Sequence, residues 1–406
     1  MASGVRDVVV VGGGPAGATA AALLAAGGRD VVVLERETFP RFHVGESLLP
    51  MDLPIFRRLG IDLSRGPYLR KAGAEFLDEA AGQTATFAFA EALPGTPEYA
   101  WQVERSKFDA LLLERAAEWG ADVRQGQEVV AIECTAGAVT VRTRSETLEA
   151  RYCIDASGQS AFLGRSRRSL VPFREFGRAA VFRHYEELDP DRAAALAETG
   201  NVKIFLVPDG WMWGIPLHGR KLSVGLVLRR GSVREDALDA AVAGSPVLSG
   251  LVAGAIASNA HSVGNFSYRN AQAGGVRHVC IGDAACFLDP VFSTGVTLAM
   301  TGAERLVDLL LPALDDGREA EPTLATAWSD AMAPGYRILG ALVHRFYHSR
   351  LVKNVFFTDR RDAHFRQGML STLAGDVWRP DNPFASALAR SRRGDLPDGF
   401  GPAASA

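Results

Sequence analysis

The chain has 406 residues, a formal net charge of −3 and four cysteines. That length allows two or three domains, with cores large enough to need no disulfide staples. The charge balance speaks against nucleic acid or an anionic membrane as a partner.

The N-terminus lacks a charged segment followed by an apolar run and a cleavage site. No stretch approaches the ~20 apolar residues of a membrane helix. The expectation is therefore a soluble, cytoplasmic protein. Cys134, Cys153, Cys280 and Cys286 show neither a CxxC pair nor metal-ligand spacing. They read as buried small hydrophobes of a reducing compartment, and no metal is expected.

Residues 7–11 form a β-branched run ending in glycines, the pattern of a fully buried parallel strand. Residues 15–26 are rich in Ala and Leu and predict a helix. Residues 30–34 predict a second buried strand, closed by Glu35, which completes one βαβ unit. An amphipathic helix is expected over 108–119, and strands over 122–124, 128–134, 139–144 and 152–155. From residue 178 the texture changes to strand-like runs separated by Gly, Pro and Asp, which suggests a second, mixed or antiparallel sheet. Residues 276–283 return to the buried-strand texture. Helices are expected over 295–311 and 323–350, and loop or frayed tail from 378 onward.

Gly12-x-Gly14-x-x-Gly17 sits between the first strand and the first helix. Gly12 allows the tight turn, Gly14 lets the backbone approach a pyrophosphate, and Gly17 lets helix pack on strand. The helix N-terminus offers free N–H groups and a positive dipole end. Glu35 can accept hydrogen bonds from ribose hydroxyls. A glycine triplet alone is weak evidence; with strand, helix and a terminal acid about 20 residues on, it is a dinucleotide site. Two further turns, Asp155 to Gly158 and Gly282-Asp283, each follow a buried strand. An acid in the second can reach the ribityl chain or pyrophosphate of a long cofactor, which favours FAD over NAD.

Together with Pro40-Arg41-Phe42-His43-Val44-Gly45-Glu46-Ser47 and Arg105-x-x-Phe108-Asp109, these strings resemble one known flavoprotein fold. It is the glutathione-reductase-type fold of aromatic hydroxylases, geranylgeranyl reductases and flavin-dependent halogenases. The likeness runs from residue 6 to about residue 350. Three motifs point to the halogenases: Trp211-Met212-Trp213-Gly214-Ile215-Pro216, which is similar to their WxWxIP; Phe287 to Gly295, which is similar to their FxxPxxSxG; and Lys71, where these enzymes carry a catalytic lysine. The set resembles the phenol and pyrrole branch of bacterial natural-product halogenases. The tryptophan-specific branch carries a glutamate directly before Ser-Thr-Gly, and this chain has Phe292 there. That departure argues against free tryptophan as substrate.

The resemblance implies an α/β protein. A glutathione-reductase-type FAD-binding Rossmann domain would take residues 1–70, 102–177 and 265–312. A mixed-sheet substrate domain would take 71–101 and 178–264, and a C-terminal helical region with its tail 313–406. Flavin contacts are implied at Gly12, Gly14, Pro15, Ala16 and Gly17, at Glu35, Arg36, Arg41 and Ser47, at Arg105, Asp155 and Gly158, and at Gly282, Asp283, Pro290, Gly295 and Val296. Glu46 and Ser47 lie in a loop that runs close to the flavin in related proteins, where either a catalytic or a loop-bonding role is open.

The implied chemistry is FADH2-dependent: reduced FAD and O2 give a C4a-hydroperoxide, chloride or bromide attacks it, and hypohalous acid results. Lys71 would hydrogen-bond that acid or form a haloamine, burial lowering its pKa so that a neutral fraction exists. The alternative is a surface lysine opening a strand. Backbone N–H groups of Thr294 and Gly295 would hold the halide, while Ser293 can simply cap the helix that follows. Trp211 and Trp213 share one strand face. They are either core aromatics or, with Ile215 and Pro216, a wall along the flavin–substrate passage. His344, Tyr347 and His348 lie on a helix able to cover the substrate pocket.

The resemblance further implies an NAD(P)H:flavin reductase partner and an electron-rich aromatic substrate. Arg165, Arg167, Arg168, Arg174 and Arg178 form a basic cluster suited to an acidic acyl or peptidyl carrier protein presenting it. An aromatic monooxygenase and a geranylgeranyl reductase-type double-bond reductase are the rival readings.

Overall fold

The computed structural model describes residues 4–177, 179–229, 234–264, 266–349, 352–358 and 362–390. The βαβ unit is present as β1 (Arg6–Val11), α1 (Pro15–Ala26) and β2 (Val31–Glu35). Val8, Val9 and Val10 are fully buried because β1 is sandwiched on both edges and both faces. It pairs in parallel with β2 and with β3 (Thr147–Asp155). The sheet extends in parallel to Asp122–Gln125 beyond β2 and to His278–Cys280 beyond β3. Val139–Thr143 pairs antiparallel with β3, and Val129–Cys134 pairs antiparallel with it in turn.

The second sheet is mixed, as the alternation after residue 178 suggests. Its core strands are β4 (Ala179–Glu186), β5 (Val202–Val207), β6 (Gly210–Leu217) and β7 (Lys221–Leu228), joined antiparallel in the order β4, β7, β6, β5. Only the outer step is parallel, where β5 meets Gly73–Asp78, which forms a hairpin with Gln83–Ala88. This brings an early segment of the chain to the edge of a late sheet.

Two long helices follow, α2 (Thr294–Asp315) and α3 (Pro322–His348). α2 lies along α1, so the first and last thirds of the chain share one core. The expected loop from residue 378 is not what forms over 383–390. Pro383–Arg390 is a helix whose Phe384 and Leu388, one turn apart, are buried. Asn382 starts it, its Oδ1 accepting the N–H groups of Phe384 and Ala385 at 3.0 Å each. Another helix, Ala363–Leu373, precedes it. The expected positions at 350 and 391–406 lie outside the described residues. Among the described residues no helix is long and apolar enough to cross a membrane.

Candidate active site

One cavity of about 930 Å³ runs between the two sheets. At one end the Gly12–Ala16 turn opens into it. Gly12 adopts φ +104°, and a Cβ there would lie 2.4 Å from the Ala156 carbonyl oxygen. A Cβ on Gly17 would lie 1.9 Å from the Gly12 carbonyl oxygen, so Gly17 serves turn packing and does not line the cavity. The first turn of α1 has no side-chain cap, which leaves its N–H groups to a ligand.

Glu35 is buried at the tip of β2. Its Oε2 accepts Gly13 N–H at 2.7 Å and its Oε1 accepts Glu37 N–H at 2.8 Å. The carboxylate thus fixes the glycine turn while facing the cavity. Arg36, Arg41, Arg105 and Arg165 also line the cavity. At the glycine turn the lining suits an extended, anionic ligand, with uncapped helix N–H groups, a close-approach turn and the guanidiniums of Arg36 and Arg165, while Glu35, Glu37, Glu46, Glu128 and Asp283 line the cavity as well.

Arg41 and Arg105 converge on Asp109, which is fully buried. Arg105 grips it with two bonds of 2.7 and 2.9 Å, and Arg41 lies 3.1 Å from its Oδ2. Arg105 also donates to the Val44 carbonyl at 2.8 Å, which orders the 41–47 loop. Sequence reasoning gave both arginines to the ligand and gave Asp109 no role.

Gly14, Pro15, Ala16, Ser47, Gly158, Asp283, Pro290, Gly295 and Val296 also face the cavity. Asp155 and Gly282 do not. Asp155 is a turn clamp, its oxygens accepting Ser157 N–H at 3.0 Å and Leu163 N–H at 2.8 Å. Gly282 adopts φ +59°, which favours glycine, and a Cβ there would meet Ala16 Cβ tightly at 3.1 Å. Burial pushes the Asp283 carboxyl up to about 7, against the pull of Arg105.

Lys71 is 1 % exposed, so the reading of it as a surface lysine fails. It lies on the short strand Leu69–Lys71, which pairs with Ala100–Gln102, and Ser47 bridges to Gln102. This pairing delivers Lys71 Nζ to Ser47 Oγ at 2.9 Å and to the Leu48 carbonyl at 2.8 Å. Ser47 lines the cavity; Lys71 stands behind it. Burial brings the ammonium down to about 7, opposed by the charge of Asp52. Asp52 is fully buried and rises to about 6 by the same desolvation, opposed first by its bond from Leu49 N–H.

Ser293, with φ +58°, takes the cap position of α2 but makes no capping bond. The α2 N–H groups of Thr294 and Gly295 therefore begin the helix without a side-chain partner. Gly295 faces the cavity, and the Thr294 side chain is buried away from it.

Trp211 and Trp213 share one face of β6, with ring centroids 5.8 Å apart. Both line the cavity, as does Ile215, whereas Pro216 does not. The Trp213 indole donates to Ser223 Oγ at 3.2 Å, and the Trp211 indole to Tyr347 Oη at 2.9 Å. Tyr347 on α3 thus reaches the cavity wall. His344 pairs with Glu175 at 3.1 Å, and His348 Nε2 lies 2.8 Å from the Glu175 carbonyl oxygen. These three could converge on a metal ion, yet each already has a partner and the Arg229 guanidinium adjoins His348 at 3.4 Å.

One pair was missed entirely. Glu46 in the 41–47 loop meets His184 on β4 at 2.9 and 3.0 Å. Burial works to lower the His184 pKa, but the bonds and charge of Glu46 prevail and raise it.

A family model described as tryptophan halogenase matches residues 7–97 and 90–375. The chain belongs to the tryptophan halogenase family. It is a flavin-dependent halogenase, and proteins of this kind use FAD and a halide. A 1H-pyrrole-2-carbonyl-[peptidyl-carrier protein] chlorinase of Pseudomonas fluorescens is 28 % identical over 379 residues, 85 % of this chain and 84 % of that one. A flavoprotein/dehydrogenase from Cytophaga hutchinsonii superposes with TM-score 0.86 at 27 % identity, covering 95 % of this chain and 96 % of its own. A myxobacterial chondrochloren halogenase superposes with TM-score 0.75 at 28 % identity, covering 95 % and 93 %.

Proposed function

We propose that this halogenase places chlorine or bromine on an electron-rich ring, a phenol or a pyrrole, and that Lys71 delivers the electrophile. The observation that carries the proposal is Lys71 itself: a buried lysine near neutrality, held by a serine that lines the cavity. Reduced FAD, when bound, supplies the activation of O2 from which hypohalous acid arises.

The residues of the chain do the rest. Gly12, Gly14 and the α1 N–H groups receive the diphosphate, Glu35 the ribose, and Arg36 and Arg165 balance the charge. Thr294 and Gly295 hold the halide with backbone N–H groups. Trp211, Trp213 and Ile215 exclude water along one wall. Lys71 Nζ, at a pKa of about 7, meets the cavity at Ser47 Oγ; as ammonium it would donate a hydrogen bond to hypohalous acid, and as amine it would take the halogen to give a haloamine, releasing water.

Phe292 in place of the glutamate of tryptophan-specific relatives speaks for a substrate other than tryptophan. Tethering to an acidic carrier is supported by the name of the Pseudomonas relative and by Arg168 and Arg174, both exposed. Arg167 instead bonds His278, and Arg178 lies outside the described residues. The test supplies FAD, an NADH:flavin reductase and bromide, with monochlorodimedone or a phenol as probe. A brominated product supports the proposal. A hydroxylated product formed equally well without halide would replace it with a monooxygenase.

A further inference from the structure

The buried Trp211 and Asp289, joined by the half-buried Tyr347, link the tryptophan wall to the turn before α2. The Trp211 indole N–H donates to Tyr347 Oη at 2.9 Å, and the Tyr347 hydroxyl donates to Asp289 Oδ2 at 2.9 Å. Asp289 is 2 % exposed and accepts two backbone bonds besides. Its Oδ1 takes Val291 N–H at 3.0 Å, and its Oδ2 takes Gly177 N–H at 3.0 Å. The Val291 bond caps the turn Pro290–Phe292, which delivers Ser293 in its left-handed conformation and then the first N–H groups of α2.

The junction is closed on its remaining side by backbone. A Cβ on Gly177 would lie 2.7 Å from Asp289 Oδ2 and 2.9 Å from Tyr347 Oη. A buried carboxylate stays ionised and oriented only while its oxygens are hydrogen-bonded. Tyr347 supplies the single side-chain bond to Asp289 among the described residues. No step of the proposed reaction uses either residue.

We infer that Tyr347 is a positioning residue for halide binding: it orients Asp289, Asp289 holds the 290–295 backbone, and Trp211 orients the tyrosine hydroxyl. The WxWxIP motif then contributes its first tryptophan as a strut, independent of any screening of the flavin. The inference rests on the proposed halide site at Thr294 and Gly295.

The test is bromide dependence of halogenation in the full-length protein with FAD and a flavin reductase. Tyr347→Phe keeps the ring and removes the hydroxyl. It should raise the bromide KM about tenfold, the loss of roughly one charge-assisted hydrogen bond. FAD affinity and kcat at saturating bromide should stay within about twofold of wild type. A merely structural role would move FAD affinity and kcat together with KM, and that result overturns the inference. Trp211→Phe leaves the Tyr347–Asp289 bond and should shift KM in the same direction by less. If Tyr347→Phe fails to bind FAD, Trp211→Phe carries the test, and an unchanged KM there overturns the inference. A saturable wild type with an unchanged KM in Tyr347→Phe overturns the positioning role alone. A wild type whose rate ignores bromide removes the halide site, and this inference with it.

Discussion

The chemistry rests on a few side chains whose ionisation is set by burial. Lys71 is held near 7 chiefly by desolvation, so its neutral fraction rises as pH passes about 7. If neutral amine takes the halogen, halogenated product should rise across that pH while flavin oxidation stays flat; parallel profiles would contradict the assignment. Lys71→Arg should abolish halogenation, because guanidinium stays protonated at any working pH and supplies no free nitrogen. Product from that variant near the wild-type rate would show that charge alone suffices. The motif singled out Lys71 but left burial and a surface position both open, and the structure buries it. Its partners were not legible. Ser47 lies 24 residues away, and the Glu46–His184 and Tyr347–Asp289 pairs span 138 and 58 residues. Such contacts are made by sheet register and helix docking, which leave no local pattern.

At the level of elements, the βαβ unit was legible because three signals coincide there: a buried strand, a glycine turn and a terminal acid. Glu35 binds the turn it follows through Gly13 N–H, so its removal loosens the glycine loop as well as the proposed sugar contact. Glu35→Ala should weaken FAD binding by ~1.5–3 kcal/mol. Flavin fluorescence titration measures this directly, and equal affinity would contradict the role. Asp155 carries the opposite lesson. A strand-end acid before glycine reads like a ligand contact, yet both its oxygens are taken by its own turn. The helix Pro383–Arg390 was hidden by flanking Pro, Gly and Arg, whose turn-like composition outweighs a short apolar stripe. The parallel placement of Gly73–Asp78 beside β5 is likewise a tertiary fact with no local sign.

For the whole molecule, one dinucleotide fingerprint serves one long cavity between two sheets, and no second nucleotide unit was read in the sequence. The purified protein should therefore oxidise negligible NAD(P)H without a partner reductase. Rapid NADPH-driven flavin reduction by the chain alone would favour a single-component monooxygenase. Arg168→Glu together with Arg174→Glu should slow turnover of a carrier-tethered substrate, most at low salt, and spare a free one. Unchanged turnover of the tethered substrate would remove the carrier argument. Oxidation of the flavin and delivery of the halogen are separable steps. The most direct measurement compares halogenated product formed per O2 consumed in wild type and in Lys71→Ala, with bromide, FAD and a reductase present. Comparable O2 uptake is expected in both, with halogenated product only in the wild type. Near-normal halogenation by Lys71→Ala would contradict the proposed role of Lys71.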